Sequence, residues 1–313
     1  MPFEPVILFF VLGLLAGVIR SDLKIPGVLY ESISIFLLLA IGLKGGIELA
    51  KVPLASVAGP GLIVVLAAAI IPLVAFPVLH RIGRLARADA ASIAAHYGSV
   101  SVVTFAVAAS FLLRLDEPAE GYMVVFLVLL EFPALVMGDV LAHRRAGDTR
   151  WGHLLHEVFS GKSIVLLVGG LLIGWIAGAD GIKPLDRLFL DLFKGMLAFF
   201  LLEMGLVVAS RVADLRRAGV FLIAFAIIMP VFAGAFGVVT ANVIDLSVGG
   251  AAMLATLYAS ASYIAAPAAM RIAIPEANPA LSIGAALGVT FPFNLLIGIP
   301  LYHEMAVRFE GVL

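Results

Sequence analysis

Serine residues occur in pairs at two places in a chain that is otherwise strongly apolar. Ser99 and Ser101 lie in the stretch YGSVS, and Ser260 and Ser262 lie in the stretch YASAS. Residues two apart cannot face the same neighbour from a continuous α-helix, so this spacing favours an interrupted helix at each place. An interruption exposes N–H groups and hydroxyls that can hold an anion at the N-terminus of the following half-helix. The alternative is close helix packing through small residues.

Glu131 is the second candidate for chemistry, because an ionisable side chain within an apolar run is costly in a membrane. Pro133 follows it two residues later, and Pro292 follows Thr290 in a similar setting. Each proline frees the backbone carbonyl four residues before it, and a freed carbonyl can coordinate a cation. The pattern predicts cation coordination or proton coupling at Glu131. The alternative is a buried ion pair with Lys44 or another internal base.

The composition places these residues in a membrane. Of the 313 residues, 63% are hydrophobic and 13% are charged, whereas soluble domains are roughly 45–50% apolar. The net charge of -1 gives no indication of a nucleic-acid partner, and the absence of cysteine excludes disulfides and thiolate catalysis. The stretch HLLHE, from His153 to Glu157, is not a recognised zinc signature. With no paired catalytic motif at membrane depth, the sequence predicts no enzyme, no transition-metal site and no cofactor.

Ten apolar stretches of about 20 residues predict an all-α membrane protein with ten transmembrane helices, since a helix of that length crosses about 30 Å of hydrocarbon. The predicted spans are 5–20, 28–50, 54–79, 90–113, 121–142, 162–178, 187–210, 218–243, 249–274 and 282–302. The polar segment 143–161 is the predicted linker. It separates a first five-helix half, 1–142, from a second, 162–313.

Lysine and arginine are distributed unevenly between alternate connections, and cytoplasmic loops carry the excess of these residues. The richer side holds Arg20, Lys24, Arg81, Arg84, Arg87, Arg144, Arg145, Arg150, Arg211, Arg216, Arg217 and Arg271. The poorer side holds Lys51, Arg114, Lys183, Arg187 and Arg308. Both termini are therefore expected outside the cytoplasm, with the linker inside.

The two halves share short sequence motifs, here called repeated words, in the same order. The pairs are LGLLAGVI with GGLLIGWI, LLAIGL with LLEMGL, YGSVS with YASAS, and EFPAL with TFPFN. An odd number of spans in each half reverses the orientation of the second half, so the similarity predicts an inverted repeat. In such a repeat the two serine stretches, in spans four and nine, can meet near the midplane of the bilayer.

The stretch ASASYIAAPAAMRIAIPEANP, followed by LGVTFPFNLLIGIPLYHEMA, is similar to the sodium-dependent bicarbonate transporters described from cyanobacteria. The words IGLKGGIELA, EFPALV and EMGLVVASRVADLRRAG fall where that family has similar words, so the resemblance covers nearly the whole chain. It implies a gate domain from spans one, two, six and seven and a core domain from spans three to five and eight to ten. It also implies a homotrimer that takes up bicarbonate or a similar small anion with sodium as the coupling ion.

The resemblance also implies site residues, position by position. The anion site would comprise Gly98, Ser99, Val100, Ser101, Thr104, Ser260, Ala261, Ser262 and Tyr263. Sodium would bind beside it, at Glu131, Thr290 and Asn294. The chain departs from the family in having Glu131 for an aspartate, Lys44 for a threonine and Val103 for a serine. Its linker is short where cyanobacterial members carry a long cytoplasmic insertion, so regulation by a cytoplasmic protein stays open.

Together these features predict a secondary transporter of the bacterial cytoplasmic (inner) membrane. It would import a small anion, first of all bicarbonate, with sodium, by an elevator-like or rocking motion of the core against the gate. One alternative is a sodium/proton exchanger in which Glu131 binds the ion and no anion binds. Another is a membrane-embedded sensor without transport.

Overall fold

The chain is helical in every described element. The computed structural model describes residues 4–131, 133–143, 152, 156 and 159–310, with backbone alone for 212–218. No strand occurs in these ranges, which confirms the predicted all-α class. Most of the predicted linker 143–161, including His153 and Glu157, lies outside the described residues.

The described ranges contain sixteen α-helices, eight before the predicted linker and eight after it. The first half contains α1 (Pro5–Val18), α2 (Gly27–Leu49), α3 (Leu54–Ala68), α4 (Ile70–Pro77), α5 (Arg87–Gly98), α6 (Val102–Arg114), α7 (Met123–Glu131) and α8 (Pro133–Ala142). The second half contains α9 (Lys162–Ile182), α10 (Phe193–Ser210), α11 (Val212–Val243), α12 (Val248–Ala259), α13 (Ala265–Ala273), α14 (Pro279–Ile283), α15 (Phe291–Phe293) and α16 (Ile299–Phe309). π-helical turns at Gly284–Thr290 and Asn294–Gly298 join the last three helices into one continuous segment.

In the part of the chain that the structure describes, eight helical segments are long and apolar enough to cross a membrane, and they match predicted spans two to eight and ten. Their bounds are Gly27–Leu49, Leu54–Ile82, Arg87–Arg114, Met123–Ala142, Lys162–Leu185, Arg187–Ser210, Gly219–Val243 and Pro279–Phe309. The first and ninth predicted spans are shorter. Helix α1 has 14 residues, and the ninth span is divided between α12 and α13 by the non-helical stretch 260–264. Eight of the ten predicted spans are therefore present as long apolar segments, and the first and ninth are shorter. The segment Arg87–Arg114 is itself divided, between α5 and α6.

Glycines bring α1 against α10 and α2 against α9 at close range. A Cβ built at Gly13 would lie 3.2 Å from the Cα of Gly205, and one built at Gly170 would lie 3.2 Å from the Cα of Gly42. Small residues let transmembrane backbones approach in this way. Gly13 and Gly170 occupy the same position in one pair of repeated words, and Gly42 and Gly205 do so in another. The same contact thus occurs twice, between equivalent positions of the two halves.

We expect Gly205→Ala to destabilise the protein by about 1–3 kcal/mol, the usual cost of overpacking a tight interface. A Cβ there would meet the carbonyl oxygen of Phe10 and lie 2.5 Å from the backbone nitrogen of Leu14. Thermal unfolding of the detergent-purified variant measures the loss. Gly195→Ala, in the same helix, is the matched control, because no atom lies within 4 Å of a Cβ there. Equal melting temperatures for the two variants would contradict the close packing of α1 on α10.

A buried carboxylate ties the start of α1 to α6. Glu4 is 3% exposed, and it accepts a hydrogen bond of 2.7 Å from the hydroxyl of Ser110. Its other oxygen lies 3.2 Å from Nε of Arg114. Helix α1 is thereby held beside the helix that begins at the first serine pair.

Candidate functional site

The first serine pair interrupts a helix, as its spacing predicted. Helix α5 ends at Gly98, and Ser99 is extended, with φ -96° and ψ 175°. Ser101 is the N-cap of α6, with φ -113° and ψ 112°. Its Oγ accepts hydrogen bonds from the backbone N–H of Thr104 at 3.2 Å and from the Thr104 hydroxyl at 2.9 Å. Because the Ser101 oxygen accepts both bonds, its own hydrogen is left for donation to a further group.

The second serine pair interrupts a helix in the same manner. Helix α12 ends at Ala259, and Ser260 is extended, with φ -81° and ψ 166°. The Oγ of Ser262 accepts a hydrogen bond of 3.1 Å from the backbone N–H of Ala266 in the first turn of α13. The hydroxyl of Ser262 therefore also stabilises a helix N-terminus while its hydrogen stays available for donation.

The two interruptions are hydrogen-bonded to each other. The backbone N–H of Ser101 donates to Oγ of Ser260 at 2.9 Å. The backbone N–H of Ser262 donates to the carbonyl of His96 at 2.8 Å. The four serines are all buried, with at most 4% of the surface of any of them exposed. The sequence-distant pairs thus form one crossing, which we call the serine crossing.

A small cavity lies at the serine crossing, with a volume of about 10 Å³. Its walls are Val100, Ser101, Val102, Glu131, Ser163, Ser262, Tyr263 and Ile264. Val100 and Ser101 lead into α6 and Val102 is its first residue, while the three residues 262–264 precede the N-terminus of α13. Each helix N-terminus carries roughly half a positive charge in its unpaired N–H groups. The cavity has room for about one water and is positively polarised from two sides.

Four of the nine predicted anion-site residues line this cavity, namely Val100, Ser101, Ser262 and Tyr263. The other five shape the crossing. Ser99 donates to the carbonyl of Glu131 at 3.4 Å, and Ser260 bonds across the crossing. Thr104 donates its backbone N–H and its hydroxyl to Ser101, and Ala261 is buried. A Cβ at Gly98 would lie 2.8 Å from the Cβ of Ala134, so the glycine lets α5 approach α8.

The sequence predicted Tyr263 as a residue of this site, but it gave no indication of Ser163. The hydroxyl of Tyr263 is buried beside Ser101 and makes no hydrogen bond of good geometry with any described residue. Ser163 comes from α9, and sequence reasoning missed it. It stands next to the predicted linker, outside every repeated word, so no local signal marked it. Its place at the cavity is set by the packing of α9.

Glu131 brings an isolated carboxyl group to the cavity wall. Its side chain is 2% exposed, and Oε2 has no hydrogen-bond partner in the described part of the chain. Glu131 forms no ion pair with any described residue, and Lys44 lines a different cavity. A lone carboxylate away from water is strongly disfavoured unless it takes up a cation or a proton. The carboxyl group therefore has the chemistry of an ion-binding group.

Thr290 and Asn294 are engaged with the protein instead. The Thr290 hydroxyl is 2.7 Å from the hydroxyl of Tyr97 and donates to a backbone carbonyl of α11 at 2.7 Å. The Asn294 amide donates to the carbonyl of Ala259 at 2.9 Å and accepts from the Tyr302 hydroxyl at 2.7 Å. Within the described ranges no hydrogen bond joins either residue to Glu131. Their role in binding sodium stays a prediction.

Comparison with known proteins supports the resemblance seen in the sequence. A comparison with curated proteins finds no match. The family model described as the Na+-dependent bicarbonate transporter superfamily matches residues 5–307, nearly the whole chain. The many apolar helices agree with a multi-pass membrane transporter. The chain therefore belongs to the Na+-dependent bicarbonate transporter superfamily.

Proposed function

We propose that this protein imports a small anion, bicarbonate before others, together with sodium. The anion would be held at the serine crossing. One observation carries the proposal: two helix N-termini, each capped by a serine with an unused hydroxyl hydrogen, converge on one buried cavity. Helix N-termini are ready-made sites for anions. Bicarbonate as the anion rests on the family rather than on the cavity.

The donors around the cavity suit a singly charged oxyanion that must later be released. Hydroxyls of Ser101, Ser262 and Tyr263 can each donate to an anion oxygen. No lysine or arginine of the described chain lines this cavity. An anion held by dipoles and hydroxyls, without a paired cationic side chain, leaves more readily than one locked in a salt bridge. Ready release is what transport requires.

Sodium would offset the charge of the anion during import. Each elementary charge moved across the membrane is worth about 2.3 kcal/mol per 100 mV, and a negative interior opposes the arrival of an anion. Glu131 lies in the wall of the same cavity and lacks a partner for one oxygen among the described residues. A cation there would neutralise the carboxylate and attract the anion, so the two ions would stabilise each other.

The proposal includes a motion of the predicted core against the predicted gate. Most of the cavity wall comes from core helices, and Ser163 comes from α9 of the gate. The cavity holds about one water, so a larger anion requires that this wall move outward. An elevator-like or rocking displacement would do so. We also propose that the protein is a homotrimer in the bacterial inner membrane, with both termini outside the cytoplasm.

Uptake into proteoliposomes tests the function directly. The purified protein is reconstituted, and labelled bicarbonate is added outside with an inward gradient of sodium or, as the control, of potassium. We expect uptake several-fold faster with sodium. Competition by unlabelled nitrate, formate and sulfate at equal concentration then ranks other anions against bicarbonate.

The outcomes separate the three functions considered. Bicarbonate uptake that is indifferent to sodium would overturn the coupling. Sodium efflux driven by an inward proton gradient with no anion present would favour the exchanger, for which the isolated carboxyl group of Glu131 is the supporting observation. The absence of either flux from a protein with a normal melting transition would favour the sensor.

A further inference from the structure

A second and much larger cavity, of about 550 Å³, lies between the helices of the predicted gate and those of the predicted core. It opens at the end of the fold where α2 finishes and α10 begins. Its walls include Ala40, Lys44, Phe105, Ala109, Val124 and Lys194. Nothing in the predicted site residues accounts for it. Its volume falls in the range of sites that take small ligands.

Two lysines, Lys44 and Lys194, line this cavity, and neither forms an ion pair with a described residue. Lys44 comes from α2 and Lys194 from α10, and both lie in the wall of the same cavity. The carboxylate of Glu48 acts on Lys44 more strongly than the ammonium group of Lys194 does. No carboxylate of a described residue lies within 4.0 Å of either nitrogen. Like charges that share a cavity without a paired anion favour a mobile anion between them.

Each of the two acidic side chains of the cavity wall has one oxygen bound to a group other than these lysines. Glu48 lies one turn after Lys44 in α2. Its Oε1 forms an ion pair with Lys51, 2.6 Å from Nζ. Glu120 accepts a hydrogen bond of 2.7 Å from the backbone N–H of Ser247, the N-cap of α12. The positive end of α12 therefore offsets the Glu120 charge. The two ammonium groups therefore make no direct ion pair with either acid and can each take up an anion.

Helix α6 connects this cavity to the serine crossing. Five of its residues line the large cavity on one face, namely Phe105, Ala106, Ala109, Ser110 and Leu113. Phe105 follows Ser101 by one turn, about 6 Å along the helix axis. The large cavity therefore extends from the far end of α6 to within a turn of the residue that caps its start.

We propose that the large cavity is an anion-collecting vestibule in which Lys44 and Lys194 hold a small monovalent oxyanion before it passes along α6 to the serine crossing. The passage to the crossing rests on the proposed function. Capture of the anion by the lysines does not, because it follows from their charge and their shared cavity. The vestibule is a second anion site, weaker than the crossing because it is open to water.

The chain contains no cysteine, so a single introduced thiol reports on the vestibule alone. Ala109→Cys is labelled in proteoliposomes with two methanethiosulfonate reagents, one carrying a sulfonate and one a trimethylammonium group. The ratio of the two rates measures the local preference for anions. We expect Lys44→Gln with Lys194→Gln to lower this ratio at least about fivefold. Lys183→Gln removes a nearby charge outside the cavity wall and should leave the ratio unchanged. Potassium bicarbonate, compared with potassium gluconate, should slow the sulfonate reagent only while both lysines are present.

Each outcome decides the proposal independently of transport. A rate ratio that does not respond to the two lysine substitutions overturns it, as does an Ala109→Cys thiol that neither reagent reaches. Leu113→Cys, at the exposed end of the same face, is the second reporter if Ala109→Cys does not fold. A normal charge effect in a protein that shows no bicarbonate uptake would keep the vestibule and remove the proposed function. If the vestibule and the proposed function are both correct, Lys44→Gln should raise the KM for the anion several-fold with little change in the maximal rate.

Discussion

Replacing Ser262 with alanine is expected to raise the KM for the transported anion by roughly ten- to a hundredfold. The substitution removes a hydroxyl donor from the cavity wall and the cap on the N–H of Ala266. A hydrogen bond to a charged group contributes about 1.5–3 kcal/mol, and each 1.4 kcal/mol is tenfold in affinity. Initial rates of labelled bicarbonate uptake at saturating sodium give the KM. Ser101→Ala, in the other half of the crossing, is expected to act in the same direction.

Ser282→Ala is the matched control for these variants. Ser282 is also buried, and its hydroxyl donates to the carbonyl of Pro279 at 3.3 Å, away from the cavity. Its KM should change by no more than about twofold, since only one weak hydrogen bond is lost. Normal anion affinity in both Ser101→Ala and Ser262→Ala would place the anion site elsewhere. A loss confined to sodium affinity would have the same meaning.

Replacing Glu131 with glutamine is expected to abolish the dependence of transport on sodium, or to raise its half-saturating concentration at least about tenfold. Glutamine keeps the size of the side chain and removes the charge that a cation would neutralise. Thermal unfolding provides a second readout. Sodium should raise the melting temperature of the wild-type protein, because a ligand stabilises the state that binds it. It should leave the melting temperature of Glu131→Gln unchanged.

Asp139→Asn separates ion binding from the general effect of removing a buried acid. Asp139 is also 2% exposed, and it is paired with Nδ1 of His143 at 3.2 Å. Its replacement should lower stability and leave the sodium response intact. Glu131→Gln, by contrast, should be as stable as the wild type in the absence of sodium, since an unpaired buried carboxylate costs free energy. An equal sodium-induced shift in wild type and Glu131→Gln would refute the assignment.

The interruptions of the two serine-bearing helices were the most accurate local prediction. Ser99 and Ser101 cannot face one neighbour from an α-helix, and the structure places both in extended backbone between α5 and α6. The spacing of two serines along a helix is a local property, so the sequence alone was sufficient to predict the interruption. The length of the ninth span was less accurate, because the same small residues that mark the interruption also read as apolar helix. There the chain is divided between α12 and α13.

The arrangement of side chains around the interruptions was harder to foresee. Glu131, Thr290 and Asn294 stood together in the predicted sodium site, yet the latter two are bonded to Tyr97 and Tyr302. Tyr97 lies on α5, and Tyr302 lies eight residues after Asn294 on the same segment. Nothing in the sequence around the prolines indicates these contacts. The role of Lys44 was equally open. Helix α10 brings Lys194 into the wall of the cavity that Lys44 lines, and that is a property of packing.

The sequence by itself determined that the chain lies in a membrane, that it is all-helical and that two helices are interrupted at the serine pairs. Those features follow from composition and short-range spacing, which act within one segment of chain. Only the tertiary structure decided that Ser101 bonds to Ser260, that Ser163 lines the small cavity and that Lys44 and Lys194 line the large one. Contacts of this kind join residues far apart in the chain. They are fixed by how closely glycine-lined helices such as α1 and α10 approach, and this distance is set by all the packed helices together.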